Sequence, residues 1–155
     1  LEHVPAPAEL LKLAHSVLNP EGVICVIVPN DFNPFQAILQ DHLGFEPWWV
    51  APPHHINYFN FSSLAGLLGQ CGFDVIHQES TFPIDLFLLM GDDYVGNDTL
   101  GRRCHTQRMN FEKAVLQSGR PELLSGLYKS LASLGLGRKV VMYARKRIFN
   151  SDAHG

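Results

Sequence analysis

The sequence predicts an α/β fold on three observations. Residues 23–28 are apolar at every position and are closed off by Gly22 and Pro29, the pattern of a strand covered on both faces by helices. Segments on either side of that run carry apolar residues at helical spacing. A further run, 139–145, is strand-like and ends the ordered part of the chain. With 155 residues, 46% hydrophobic and 17% charged, one soluble globular core is expected rather than two domains or a disordered chain.

Each element follows from local chemistry. Leu10, Leu11, Ala14, Val17 and Leu18 line one side of a helix over 7–18 that starts on Pro7, a residue suited to a first helical turn. Asn19, Pro20, Glu21 and Gly22 stop it before the 23–28 strand. A short helix is expected over 35–43, then a long loop containing Trp48, Trp49, His54 and His55; long loops after core strands often carry sites. Ser62 is expected to cap a helix with the stripe Leu64, Leu67, Leu68 and Cys71, and Gly72 sits where a left-handed C-terminal cap is wanted. A second strand runs from Phe73 to about Glu79. Residues 82–137 read as an insertion: an apolar start packing on the core, a helix over 100–117, and another from Pro121 with the stripe Leu124, Leu127, Tyr128, Leu131 and Leu134. After the 139–145 strand, residues 150–155 read as a disordered tail on a single domain over 1–149.

Charge and composition exclude several classes. Fifteen Asp and Glu outnumber twelve Lys and Arg, for a net charge of -3, so no global positive field is present to hold nucleic acid. No apolar run reaches the roughly 20 residues of a membrane span, and no signal peptide is visible. Cys25, Cys71 and Cys104 are too far apart for a zinc or redox motif and read as buried reduced thiols. A cytoplasmic location is the expectation.

Two strings of residues carry a family resemblance. The first is Leu1-Glu2-His3-Val4-Pro5, a helix, Asn19-Pro20-Glu21-Gly22, an apolar strand and Val28-Pro29-Asn30. The second is His55-Ile56-Asn57-Tyr58-Phe59, Ser62-Ser63-Leu64, Leu67-Leu68 and Cys71-Gly72-Phe73. In order and spacing they resemble the second half of class I S-adenosylmethionine-dependent methyltransferases of the ubiquinone-biosynthesis-like superfamily. The resemblance implies a partial Rossmann-like fold. Its three-stranded mixed sheet would follow the 5-7-6 part of the family order, with 140–145 inserted in reverse direction between 23–28 and 75–79. It also implies that a chain beginning at Leu1, without an initiator Met, is a C-terminal fragment. The full-length parent would use S-adenosylmethionine. No Gly-x-Gly-x-x-Gly follows any strand here, so weak or no cofactor binding, and no activity, is expected of the fragment alone. The strand at 23–28 would be left with a free edge, which invites a homodimer or a covering by residues 1–4.

Methyl transfer needs alignment, exclusion of water and, for a hydroxyl acceptor, a proton sink near neutral pH. His3, His54 and His55 are the candidates. The resemblance places Glu2 and His3 at the mouth of the cleft, and the loop carrying His55 in the acceptor pocket, so His55, His3 and Glu2 are the catalytic candidates. Trp48, Trp49, His54 and Tyr58 would form walls for a small-molecule or glycan acceptor. Some quinone-forming relatives hold a divalent metal near the Glu2 and His3 positions, but two ligands are too few, and no metal is expected. In the insertion, Arg102 and Arg108 lie in a cluster with Arg103, His105, Asp92, Asp93 and Asp98. It reads either as a lid holding an anionic group of the acceptor or as a solvated helix face. The rival to catalysis is a binding or dimerisation module on an α/β half-domain. A metal-dependent hydrolase is disfavoured, because the histidine spacing matches no ligand motif, while a glycosyltransferase stays open on fold grounds.

Overall fold

The computed structural model describes residues 1–148; the tail expected over 150–155, like residue 149, lies outside the described residues. In chain order the elements are α1 (Pro7–Val17), β1 (Val23–Pro29), α2 (Pro34–Leu43), α3 (Phe61–Gln70), β2 (Phe73–Ser80), α4 (Asp85–Leu89), α5 (Asp98–Gln117), α6 (Pro121–Ser133) and β3 (Lys139–Lys146).

The sheet has the order β1-β3-β2. β3 runs antiparallel to both neighbours, with Val26 opposite Met142 on one side and Gln78 opposite Met142 on the other. The last strand is therefore reversed between two strands that point the same way, as the resemblance implied, and both pairings are antiparallel. Ile76 falls in a register shift in β2, between Val75 opposite Ala144 and His77 opposite Tyr143, so the strand changes phase there.

One face of the sheet carries the core. Val28, Phe73, Val140, Met142 and Ala144 pack with Leu11 of α1, Phe61, Leu64 and Leu68 of α3, and Ala132 of α6. The opposite face departs from expectation. Val23 is 45% and Ile27 53% exposed, and Cys25 and Tyr143 are exposed beside them. The 23–28 run is thus covered on one face only, because α1, α3 and α6 all gather on the other. For the same reason Cys25 is an exposed thiol, whereas Cys71 and Cys104 are buried.

Capping chemistry sets two helix starts. Asn33 accepts from the amides of Phe35 and Gln36, and the Gln36 side chain accepts from the Asn33 amide at 3.2 Å, a reciprocal capping box for α2. Asn60 does the same with Ser63 at the start of α3. The helix expected to be capped by Ser62 therefore begins at Phe61, since an Asn one turn before Ser63 supplies the better reciprocal pair. Gly72 has φ +86, as its capping position requires.

Gly137 positions the site described below. Its φ is +109, and a Cβ there would lie 1.7 Å from Ser80 Oγ. Only glycine lets the entry to β3 pass this close to the end of β2. Between β2 and β3 lie α4, α5 and α6; α6 packs along β2, α5 on α6, and α4 on α2. Among the described residues no helix is long and apolar enough to cross a membrane.

Candidate active site at the carboxyl end of the first strand

β1 ends in Asn30 and Asp31, and both are pinned by the chain. The Asn30 amide donates to Arg138 O at 3.0 Å, and its side-chain Nδ2 donates to Gly135 O at 2.9 Å and Gly137 O at 3.0 Å. Two carbonyls facing the nitrogen fix the orientation of the side-chain amide. Asp31 donates its backbone amide to Phe59 O at 2.7 Å. Phe32 follows with φ +54, a left-handed conformation that is costly for an aromatic residue and that clusters at functional turns. Its ring meets Trp49 edge-on at 5.8 Å and Tyr58 at 5.9 Å, so the strained turn is clamped by the loop that follows α2.

That turn, the loop, α4 and the entry to β3 enclose a cavity of about 390 Å³. Asn30, Asp31, Trp48, Trp49 and His55 line it, together with Asp85, Arg138 and Lys139. Among the described residues, six buried side-chain polar atoms have no hydrogen-bond partner, and four of them belong to this lining: Asn30 Oδ1, Asp31 Oδ2, Trp49 Nε1 and His55 Nδ1. An unsatisfied buried polar atom costs about 1–3 kcal/mol, so native proteins carry few. Four of the six belong to residues around one cavity, which singles it out as the candidate site. Cavities of 530 and 520 Å³ elsewhere are larger, but of the six atoms only Tyr94 Oη belongs to the lining of either.

Electrostatics set this place apart as well. Asp31 is 3% exposed, and burial pushes its carboxyl up to about 6, against the pull of the Phe59 backbone and the His55 imidazole. Asp85, 2% exposed, is also raised by burial, although Asn33 Nδ2 donates to it at 3.2 Å. Desolvation is the common cause: both carboxyls sit where charge is poorly solvated.

A histidine cluster borders the cavity. His3 and His55 meet edge-on at 4.9 Å. His3 Nδ1–H donates to His54 O at 2.6 Å, which leaves Nε2 facing the Glu2 carboxylate at 3.7 Å. The backbone holds the three together, since the amides of Ile56 and Asn57 donate to Glu2 O at 2.9 and 3.1 Å. Residues 1–4 therefore lie on the 56–57 segment, with Asn57 Nδ2 bonded to Leu1 O and Val4 O. Ligand atoms of Glu2, His3 and His55 lie within 4.8 Å of one another. This is a set of three able to hold a divalent cation, with His3 oriented through its second nitrogen as metal ligands usually are.

Of the residues singled out in the sequence, Trp48, Trp49 and His55 line the cavity, and Glu2 and His3 border it. Tyr58 serves as a strut: its hydroxyl donates to His55 O at 3.2 Å and accepts from the Ala51 amide at 3.2 Å. The side chain of His54 is exposed, and the residue contributes its carbonyl to His3. Arg102 and Arg108 are elsewhere. Arg102 lies on the exposed side of α5, 3.4 Å from Thr99 Oγ1; Arg108 Nη1 is 3.5 Å from Glu112 and lines a separate cavity with Tyr94. Asn30, Asp31, Asp85 and Arg138 were not marked by any motif. The one available signal was a polar Asn-Asp pair directly after a strongly apolar strand.

An α/β chain whose polar cavity opens at the carboxyl end of a strand has the layout of a small-molecule-binding α/β protein. A family model for a methyltransferase domain matches residues 1–78, half of the chain. The chain belongs to this family, the class I S-adenosylmethionine-dependent methyltransferases. It is also similar to the crystal structure assigned as a sarcosine dimethylglycine methyltransferase from Galdieria sulphuraria, with a TM-score of 0.42 and 17% identity, over 94% of this chain and 49% of that one. The chain thus spans about half the length of that structure. No curated protein sequence matches it.

Proposed function

We propose that this chain forms the acceptor side of its methyltransferase, and that the cavity at the end of β1 receives a small-molecule or glycan-type acceptor. The gathering of four unpartnered buried polar atoms around one cavity carries this reading. S-adenosylmethionine supplies the methyl group when bound; the side chains described above do the rest. Trp48 and Trp49 wall the acceptor and exclude water. His55 takes the acceptor hydroxyl proton at Nδ1, which has no other partner. His3 contacts the His55 ring, and the Glu2 carboxylate beyond it stabilises the positive charge that arrives. Arg102, Arg108, His54 and the Tyr58 hydroxyl have no direct part in this scheme. A cation held by Glu2, His3 and His55 would compete for the same imidazole nitrogens.

Cofactor binding by the chain alone is expected to be weak, because no glycine-rich loop follows a strand in its sequence. Calorimetric titration with S-adenosylmethionine should give no tight stoichiometric isotherm; a micromolar one would contradict the expectation. β1 pairs only with β3 among the described residues. Its other edge, and the apolar Val23 and Ile27 beside it, favour a homodimer of the chain. Light scattering should then report twice the 17.3 kDa chain mass, and a monomer at high concentration would remove the dimer.

A further inference from the structure

Arg108 has no part in the scheme above, and the fold leaves it poorly satisfied. Its side chain is only 20% exposed, yet its guanidinium finds weak partners alone among the described residues. Nη2 donates to Met109 Sδ at 3.2 Å and to His105 Nδ1 at 3.4 Å. Nη1 stands 3.5 Å from Glu112, whose other oxygen takes the Tyr128 hydroxyl at 2.6 Å. A thioether is a poor acceptor, and 3.5 Å is a long contact for a charged pair. A guanidinium drawn out of water usually holds oxyanions at about 2.7–2.9 Å, often two oxygens at a time.

The space beside Arg108 is a cavity of about 180 Å³, lined also by Arg138, His105, Tyr94, Ile84 and Phe87. Neither Glu112 nor any other carboxylate belongs to that lining. The Arg138 side chain is exposed and makes no ion pair among the described residues, although Asp85 attracts it through space. Two guanidinium groups thus border one small space that holds no anionic side chain. The chain carries a net charge of -3, so diffuse attraction does not gather anions on it, and only a local cationic setting such as this one can.

Size and position narrow the occupant. Pockets that take a whole small molecule run to about 300–1,000 Å³, so a cavity of about 180 Å³ takes one group of a molecule. The 390 Å³ cavity at the end of β1 is large enough for a molecule, and Ile84 and Arg138 belong to both linings. The two spaces therefore adjoin at these residues. We propose that the smaller cavity is an oxyanion subsite, in which Arg108 and Arg138 bind a carboxylate or phosphate group carried by the acceptor. That the acceptor carries the group rests on the cavity at the end of β1 being the acceptor site; that the subsite binds an oxyanion does not.

The test follows the side-chain Nε–H resonances of Arg108 and Arg138 in nitrogen-labelled chain. Inorganic phosphate or acetate should shift them saturably, and sodium chloride at equal ionic strength should not. Arg108→Gln and Arg138→Gln, each read on the guanidinium that remains, should weaken the binding about tenfold or more, the effect of losing one charge-assisted hydrogen bond. Lys113→Gln makes the same charge change at an exposed position of the same helix, outside the lining, and should leave binding as it was. In each variant the remaining spectrum reports an intact fold. No response to phosphate or acetate beyond that to chloride, or an equal loss in Lys113→Gln, would overturn the subsite.

Phenyl, 2-phenylethyl and 4-phenylbutyl phosphate then separate a carried group from a free anion. At least one should bind about tenfold tighter than inorganic phosphate and shift the indole N–H of Trp48, in the adjoining cavity, with the same Kd. If all three match inorganic phosphate and leave Trp48 unmoved, the subsite serves a free anion and the acceptor does not carry the group. A Trp48 response without one from Arg108 would overturn the subsite and leave the acceptor cavity standing.

Discussion

Replacement of His55 by Gln is expected to lower kcat of the enzyme that contains this chain by on the order of 100-fold, with KM nearly unchanged. General bases contribute about 10²–10⁴-fold; under the role proposed for His55 the substitution removes the proton sink and leaves Trp48 and Trp49 in place. Gln at 55 keeps the main brace of the loop, the Tyr58 hydroxyl donating to the residue 55 carbonyl, and gives up the edge-on ring contact with Tyr58 at 6.2 Å. The decisive readout is the split between the two constants, a fall in kcat with KM near that of the parent. A variant with unchanged kcat would exclude His55 as the base.

The second large effect is on stability and has the opposite sign to most core substitutions. Asp31→Asn should stabilise the protein at pH 7.5, by up to about 3 kcal/mol for a carboxyl displaced from 3.8 to about 6. A folded-state value above the unfolded one means that the buried charge opposes folding fully above about pH 6. The opposition fades as pH falls from about 6 through 3.8, below which both states are protonated. The unsubstituted protein should therefore melt at a higher temperature at pH 5 than at pH 7.5. In Asp31→Asn this gap narrows but does not vanish, since Asp85 is raised by burial in the same sense. Glu2 and His55, the charged neighbours of Asp31, remain in both proteins. A variant less stable than the parent at pH 7.5 would show Asp31 to be a structural residue. Stabilisation with loss of binding is the mark of a group kept for function at a cost in stability.

The strands were legible because their apolar runs are closed by Gly and Pro: Gly22 and Pro29 around β1, Gly72 before β2, Gly137 before β3. What periodicity does not encode is which face of a strand finds a cover. Val23, Cys25 and Ile27 look as buried in the sequence as Val28, yet they face away from α1 and α3. α4 was read as an apolar segment without its own element, because five residues are too few for a helical period to show. At the site, the aromatic loop and His55 stood out by composition. Asn30 and Asp31 did not, because an Asn-Asp pair after a strand looks like ordinary turn chemistry. Their meaning appears only when Gly135 and Gly137, more than 100 residues away in sequence, take up the Asn30 nitrogen. Arg102 and Arg108 drew attention by charge, and charge alone does not separate two neighbours on one helix: Arg102 is exposed, whereas Arg108 is part-buried beside Glu112 and lines a separate cavity.

The most direct measurement is a crystal structure of the enzyme with its acceptor and the demethylated cofactor product. The acceptor should lie between Trp48 and Asp31, with the reacting oxygen within hydrogen-bond distance of the His55 imidazole. Acceptor density in the Tyr94 and Arg108 cavity, with the cavity at the end of β1 holding only water, would contradict the account.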